Sequence, residues 1–200
     1  MEKQNKFGKI SNKLFPRLSN INSDNERFTI IFSGIPGSGK SSLSKIIESR
    51  YNAVRINNDH IRRIIDEGGL TENSEEMEEL LQDYMFNLLE NYPFKNGLLV
   101  LDKSMDRQYE RFFALCESKN LDYFIIRMYI SKESAIERIT RRENVENIGD
   151  LKKSMDKWIK DYQNFGRSTK ADIVLDSNDI NLNELYRLLD KVFKTNKKSQ

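Results

Sequence analysis

The stretch "FTIIFSGIPGSGKSS", residues 28–42, joins a strand-like apolar run to a glycine-rich loop. Its second half, "GIPGSGKS" at residues 34–41, fits the spacing G-x-x-x-x-G-K-[ST] without a mismatch. Glycines at this spacing let consecutive backbone N–H groups turn toward one anion, and the following helix directs its positive N-terminal end at the same point. The pattern predicts a phosphate-binding loop formed by Gly34, Pro36, Gly37, Ser38, Gly39, Lys40, Ser41 and Ser42.

Short apolar runs alternate with helical patterns on the C-terminal side of this loop. The predicted strands are "FTIIFS" (28–33), "AVRI" (53–56), "GLLVLD" (97–102), "YFIIRMYI" (123–130) and "ADIVLD" (171–176). Several of these runs are apolar at consecutive positions, which is typical of strands covered on both faces. Apolar residues recur at helical spacing between them, near residues 77–89, 109–116, 151–165 and 182–192. The alternation predicts one α/β domain with a mostly parallel five-stranded sheet and helices on both faces.

The composition limits the classes of function. The chain has 200 residues with 33 basic and 31 acidic side chains, so its net charge of +2 supplies no global field for capturing polyanions. One cysteine, Cys116, excludes an intramolecular disulfide and suits a reducing compartment. No apolar run approaches the length of a membrane span, and the N-terminus has no apolar signal core. We therefore expect a protein of the cytoplasm with no membrane partner. Cys116 and Trp158 fall on apolar faces of predicted helices, which indicates core packing.

The first 26 residues differ from the rest of the chain. They are polar, basic and aperiodic, and we interpret residues 1–26 as a flexible extension or an arm packed on the surface, outside the sheet. Phe7, Ile10, Leu14, Phe15 and Leu18 could form a short amphipathic piece within it. The domain itself is expected to span residues 27–197.

The region from residue 28 to about residue 195 resembles the P-loop kinases, through the phosphate loop and "INNDHIRR" at residues 56–63. The branch it resembles contains the polynucleotide 5′-hydroxyl kinases, the zeta-toxin-like kinases and chloramphenicol phosphotransferase. The resemblance implies a three-layer P-loop fold of the nucleoside-monophosphate-kinase type. It also implies ATP and Mg²⁺ as cofactors and transfer of the γ-phosphate to an acceptor hydroxyl. Lys40 would contact the β- and γ-phosphates and Ser41 would bind Mg²⁺.

The resemblance assigns Asp59 as the carboxylate that accepts the proton of the acceptor hydroxyl, and Arg62 as a substrate-binding residue. Positions i and i+3 of a helix share a face, so both groups would reach one point. Helix capping is the alternative for Asp59, although Asn57 or Asn58 could supply the cap. His60, the only histidine, is interpreted as a solvated neighbour.

Asp102 ends the third predicted strand and is assigned to Mg²⁺ or to the acceptor, with a turn-forming role as the alternative. Arg107 and Arg111 follow one helical turn apart, and they either face the acceptor or form an ordinary solvated helix face. Arg107 is the residue we assign to substrate. Motor-type ATPases place a glutamate after the strand-end aspartate, where this chain has Lys103.

A lid is implied near residues 138–150. By resemblance Arg138 would lie against the adenine and Arg142 would reach the transferring phosphate, with solvated pairing to Glu137 or Glu143 as the alternative. The segment "ENVENIGD", residues 143–150, would be the tip of the lid. Ser177 and Asn178 fall where similar kinases surround the adenine, and turn chemistry explains them equally well.

Two other classes of function remain open at this level. One is a nucleotide-hydrolysing switch or ATPase acting on a protein partner, and the other is a nucleic-acid-binding module built on the basic N-terminus. The acceptor of a kinase would be either a nucleic-acid 5′-hydroxyl or a small molecule. Acidic residues at 75–83 make a long polyanion less favourable there.

Overall fold

The computed structural model describes residues 2–14, 28–91, 97–142 and 148–196. Five strands form one sheet in the order β2-β3-β1-β4-β5, and every neighbouring pair is parallel. The strands are β1 (Phe28–Ser33), β2 (Val54–Asn57), β3 (Leu98–Ser104), β4 (Asp122–Tyr129) and β5 (Ile173–Asp176). The predicted α/β class and five-stranded sheet are confirmed, with strand ends shifted by one or two residues. Among the described residues, no helix is both long enough and apolar enough to cross a membrane.

Helices cover both faces of the sheet. They are α1 (Glu2–Leu14), α2 (Lys40–Tyr51), α3 (Asn58–Glu67), α4 (Ser74–Glu90), α5 (Tyr109–Lys119), α6 (Lys132–Arg142), α7 (Ile148–Ser168) and α8 (Leu182–Asn196). One core cluster packs α1, α3, α4 and α5 against one sheet face, and a second packs α2 and α8 against the other. A third, smaller cluster joins α6 to α7 through Ile139 and Met155.

Two helices begin at asparagine caps. The Asn57 side chain accepts a hydrogen bond from the backbone N–H of His60 at 3.0 Å, which fixes the start of α3 directly after β2. The Asn73 side chain accepts from the backbone N–H groups of Glu75 and Glu76 at the start of α4. Asn57 therefore supplies the cap, and Asp59 in the first turn of α3 does not need to do so.

Helix α1 belongs to the same core as the sheet. Phe7, Ile10 and Leu14 are buried, and the Phe7 ring packs edge-on against the Tyr84 ring of α4 at 5.6 Å between centroids. The hydroxyl groups of Ser11 and Tyr84 are hydrogen-bonded at 3.0 Å. The amphipathic piece considered for the N-terminus is thus a packed helix up to Leu14, while Phe15 and Leu18 lie outside the described residues.

The register between β1 and β3 changes near their carboxyl ends. Ile30 pairs with Val100, but the next pair is Phe32 with Ser104. The intervening part of β3 leaves β1 and keeps its pairing with β2 through Asn57 and Asp102. Beyond this irregularity the Met105 N–H donates to the Phe32 carbonyl at 2.8 Å, so the two strands are joined again just before the phosphate loop.

Candidate active site

A cavity of about 450 Å³ lies at the carboxyl ends of the central strands. This is the edge at which parallel α/β sheets bind their ligands. The residues assigned from the sequence that line it are Gly34, Pro36, Gly37, Gly39, Lys40, Ser41, Ser42, Asp59, Arg62, Asp102, Arg107, Arg138 and Arg142. An adjoining cavity of about 490 Å³ shares Ser41, Asp59 and Arg142 with the first, so these three side chains stand between the two spaces.

Ser38 is the one assigned residue that does not line the cavity. It is fully buried, and its hydroxyl lies 3.2 Å from the Lys40 ammonium, which donates to it. The Ser38 carbonyl accepts a hydrogen bond from the Ser177 hydroxyl at 2.8 Å. Ser38 thus connects the phosphate loop to the loop after β5, and its assignment to cofactor binding stays a prediction.

The loop conformation depends on glycine at two positions in particular. Gly37 and Gly39 have φ angles of 83° and 87°, in the left-handed region that other residues rarely adopt. A Cβ atom at Gly37 would lie 2.8 Å from the carbonyl oxygen of Ala135 in α6. Helix α6 therefore packs closely against the phosphate loop at Gly37, and Arg138 of this helix lies within hydrogen-bond distance of the loop.

The Lys40 ammonium lies inside the loop. It donates to the carbonyl oxygens of Gly34 at 2.7 Å and Ile35 at 2.8 Å. Burial lowers the pKa of Lys40 to about 8, opposed by the carboxylates of Asp106 and Asp102, while Arg142 lowers it further. The hydrogen-bond acceptors of this buried ammonium are neutral, so it can still form an ion pair with an anionic ligand.

Asp102 and Ser41 form an oxygen pair next to the loop. The Ser41 hydroxyl donates to Asp102 Oδ1 at 2.8 Å, while Asp102 Oδ2 accepts from Arg55 Nη1 at 2.6 Å and Asn57 Nδ2 at 2.5 Å. The Asp102 side chain is only 1% exposed. A hydroxyl and a carboxylate oxygen suit Mg²⁺, which binds through few protein groups together with substrate phosphates. The described residues contain no cluster of three His, Cys, Asp or Glu side chains that could bind a metal without such help.

Asp59 and Arg62 lie on α3 and line the same cavity. Arg62 Nη1 donates to Asp59 Oδ1 at 2.9 Å, and Arg62 Nε donates to Glu78 Oε1 of α4 at 2.7 Å. The Asp59 side chain is 78% exposed, so its carboxylate is open to the cavity on the side away from Arg62. Arg62 thus binds one of the two oxygens of this exposed carboxylate.

The arginines of α6 separate into two groups. Arg138 donates to the carbonyl oxygens of Gly37 and Ser177 at 3.3 and 3.0 Å and to Asn178 Oδ1 at 2.8 Å, which places it between the phosphate loop and the loop after β5. Arg142 lines both cavities. Arg141 is exposed and donates to Glu137 at 2.6 Å. Of the predicted lid tip at residues 143–150, residues 143–147 lie outside the described residues, and residues 148–150 form the start of α7.

The two arginines that follow β3 also differ. Arg107 lines the cavity, with its Nε 3.7 Å from Asp161 Oδ2 of α7. Arg111 instead donates to Asp83 at 3.0 Å and covers the Phe86 ring at 4.0 Å. Of the two alternatives at this position, Arg107 faces the cavity and Arg111 belongs to a helix surface.

Several residues that line the cavity were not assigned to it from the sequence, among them two aspartates and the tryptophan. Asp106 is buried and accepts from the backbone N–H of Gly34 at 3.1 Å, and Asp161 and Trp158 reach the cavity from α7. Trp158 is half-buried, and the prediction that it packs in the core is only partly right, since its ring also lines the cavity. Cys116 is buried as predicted. No sequence signal distinguishes Asp106 from a turn residue, because its role depends on the register change in β3.

Comparisons with known proteins identify the family and the fold of the chain. The AAA domain family matches residues 30–158. The fold resembles that of a candidate kinase from Chloroflexus aurantiacus J-10-fl, with a TM-score of 0.57 and 15% identity over 87% of this chain and 100% of the other. It also resembles a gluconokinase from Sinorhizobium meliloti 1021, with a TM-score of 0.55 and 16% identity over 87% of this chain and 97% of the other. No curated protein sequence matches the chain.

The family match begins at Ile30 in β1, includes the whole phosphate loop and covers well over half of the sequence. The chain therefore belongs to the AAA domain family of P-loop NTPases, and its three-layer fold is that of the P-loop kinases.

Proposed function

We propose that the chain is a kinase that transfers the γ-phosphate of Mg·ATP to the hydroxyl group of an acceptor. The observation that carries this proposal is the placement of Asp59 and Arg62 on the same cavity as Lys40 and Arg142. Motor-type ATPases place their acidic residue directly after the strand-end aspartate, where this chain has Lys103. The exposed carboxylate of this cavity is instead that of Asp59 on α3. This carboxylate suits phosphoryl transfer, because the attacking hydroxyl must be positioned in line with the leaving group.

Each group has a role in this reaction. The backbone N–H groups of the loop and Lys40 would bind the phosphates of ATP. Arg138 would lie against the adenine ring. Ser41 and Asp102 would hold Mg²⁺, which supplies charge neutralisation at the β- and γ-oxygens when bound. Arg142 would neutralise charge on the transferring group.

Asp59 would orient the acceptor hydroxyl and accept its proton. The acceptor oxygen then bonds to the γ-phosphorus as the bond from that phosphorus to the β,γ-bridging oxygen breaks. ADP leaves, and the proton passes from Asp59 to solvent, so atoms and charge balance. The Asp59–Arg62 hydrogen bond holds the carboxylate for this step.

The nucleic-acid-binding module receives less support than the kinase. The Lys3 side chain of α1 forms ion pairs with Asp83 and Glu79, and Lys6 pairs with Glu2 at 3.3 Å. These lysines are therefore partly neutralised within the protein and are less available to phosphate groups. The 5′-hydroxyl branch named by resemblance stays a prediction about the acceptor.

A transfer assay with γ-labelled ATP tests the proposal. The acceptors should include 5′-hydroxyl oligonucleotides, sugars, sugar acids and nucleosides, with Lys40→Ala as the negative control. We expect the wild type to transfer the labelled phosphate to an organic acceptor, and we expect Lys40→Ala to form no such labelled product. Release of free phosphate alone, stimulated by a protein partner, would instead identify a nucleotide-driven switch.

Substitution of Asp59 tests its assigned role. Asp59→Asn should lower kcat about 10²- to 10⁴-fold while the dissociation constant for ATP stays within about twofold, since general-base groups contribute that range. Asp66→Asn, on an exposed position of the same helix, is the matched control and should retain wild-type activity. Full activity of Asp59→Asn would remove Asp59 from the mechanism.

A further inference from the structure

Lys103 is a cation for which the reaction described above has no use. It follows Asp102 in β3, is half-buried and lines the cavity. Its ammonium donates to the neutral amide oxygen of Gln108 at 2.5 Å. It forms no ion pair with a carboxylate of the described residues. A partly buried ammonium with only a neutral partner is unfavourable unless a ligand supplies negative charge.

The carboxylates near Lys103 are engaged by arginines. Glu78 accepts two hydrogen bonds from Arg62, at 2.7 and 3.2 Å, and Asp59 accepts one from the same guanidinium. These carboxylates are thus hydrogen-bonded to Arg62, whereas Lys103 has the neutral Gln108 as its hydrogen-bond partner.

Lys103 and Lys40 lie at different places in the cavity. The Lys40 ammonium donates to the carbonyl oxygens of Gly34 and Ile35 inside the phosphate loop. The Lys103 ammonium donates to Gln108, which is not part of that loop. The phosphates of a nucleotide account for Lys40 and leave Lys103 without an assigned ligand.

We propose that Lys103 and Arg107 bind a fixed anionic group of the acceptor, so that the acceptor is a small hydroxyl compound carrying a carboxylate or a phosphate. The inference rests on the proposed kinase function and specifies its acceptor. The anionic group would lie against Lys103 and Arg107 while the hydroxyl of the same molecule points to Asp59.

The size and surroundings of the cavity favour a small acceptor over a nucleic acid. The space of about 450 Å³ must also hold the nucleotide phosphates. Helix α4, which provides Glu78, has further exposed acidic residues at its start, including Glu75, Glu76 and Glu79. A chain of phosphates leaving the cavity past α4 would meet these carboxylates, whereas a single anionic group at Lys103 would not.

Matched acceptor pairs test the proposal kinetically. Each pair consists of an anionic compound and its neutral analogue, either a hydroxy acid and its amide or a phosphorylated alcohol and the same compound without that phosphate. We expect transfer to favour the anionic member. Lys103→Gln should raise the KM for that member about 10- to 100-fold with kcat changed less than about threefold, as expected for lost ground-state binding. The exposed Lys152→Gln is the control for loss of one positive charge and should change neither constant.

A binding measurement keeps this inference separate from the kinase proposal. The phosphate loop is first saturated with Mg²⁺ and a non-hydrolysable ATP analogue, and sulfate is then added as the probe at constant ionic strength. At a sulfate concentration about five times its dissociation constant, the wild type should gain about 2–4 °C in Tm and Lys103→Gln should gain nothing. Three results would each refute the anion site: equal gains in Tm for both proteins, equal KM values for charged and neutral acceptors, or a preference for 5′-hydroxyl oligonucleotides. If sulfate binds but no acceptor is phosphorylated, the anion site stands and the kinase proposal is refuted.

Discussion

The pair formed by Arg55 and Asp102 offers a quantitative test of the site's construction. Asp102 is 1% exposed at its side chain and Arg55 is 18% exposed, with 2.6 Å between Nη1 and Oδ2. Arg55→Met removes the cation and leaves a buried carboxylate that must still receive hydrogen bonds from Ser41 and Asn57. The change thus isolates the contribution of the ion pair to the metal-binding corner of the cavity.

The magnitude follows from burial. Removing one partner of a buried pair costs about 3–5 kcal/mol of unfolding free energy. Two neutral donors remain on Asp102 and Arg55 is partly open to water, so we expect the lower end, about 3 kcal/mol. Glu48, the other partner of Arg55 at 2.7 Å, is 42% exposed. Glu48→Gln should cost only about 0–1 kcal/mol, as exposed pairs do.

Urea unfolding followed by circular dichroism measures both variants. A loss of about 3 kcal/mol in a chain of 200 residues corresponds to a fall of about 6–12 °C in Tm. Adding Asp102→Asn to Arg55→Met removes the uncompensated charge, so the double variant should show a coupling energy of at least about 1.5 kcal/mol. Equal losses for Arg55→Met and Glu48→Gln, or strict additivity of the double variant, would refute the reasoning.

Two further predictions concern the phosphate loop and the wall of the cavity. Gly39→Ala should cost about 1–2 kcal/mol for its left-handed backbone alone, whereas Gly37→Ala should cost about 1–3 kcal/mol more because its Cβ meets the Ala135 carbonyl at 2.8 Å. Urea unfolding checks this order, and equal losses would contradict the contact with α6. Trp158, the only tryptophan, should change its fluorescence emission when Mg·ATP binds to the wild type and not when it is added to Lys40→Ala. An unchanged wild-type emission at saturation would place the nucleotide away from α7.

The sequence was sufficient for the parts of the fold that depend on local patterns. Consecutive apolar residues in β1 and β3 predict strands covered on both faces, and the structure confirms them. The spacing of the phosphate loop predicts a strand before it and a helix after it, and α2 does begin at Lys40. These features need only the chain's own periodicity and the chemistry of glycine.

Other features depend on contacts between distant residues and could not be predicted. The packing of α1 requires Tyr84 of α4 to meet Phe7, a pair separated by most of the N-terminal half of the chain. Asp106 reaches the loop only because β3 changes register against β1. The isolation of Lys103 from carboxylates depends on Arg62 binding Glu78, which no spacing in the sequence indicates.

The most direct test of the central claim is a crystal structure with Mg²⁺, a non-hydrolysable ATP analogue and the acceptor identified by the transfer assay. The account predicts the acceptor hydroxyl between the γ-phosphate and Asp59, at hydrogen-bond distance of about 2.6–3.2 Å from the carboxylate. An acceptor held elsewhere, with Asp59 facing solvent and no hydroxyl near the γ-phosphate, would contradict it.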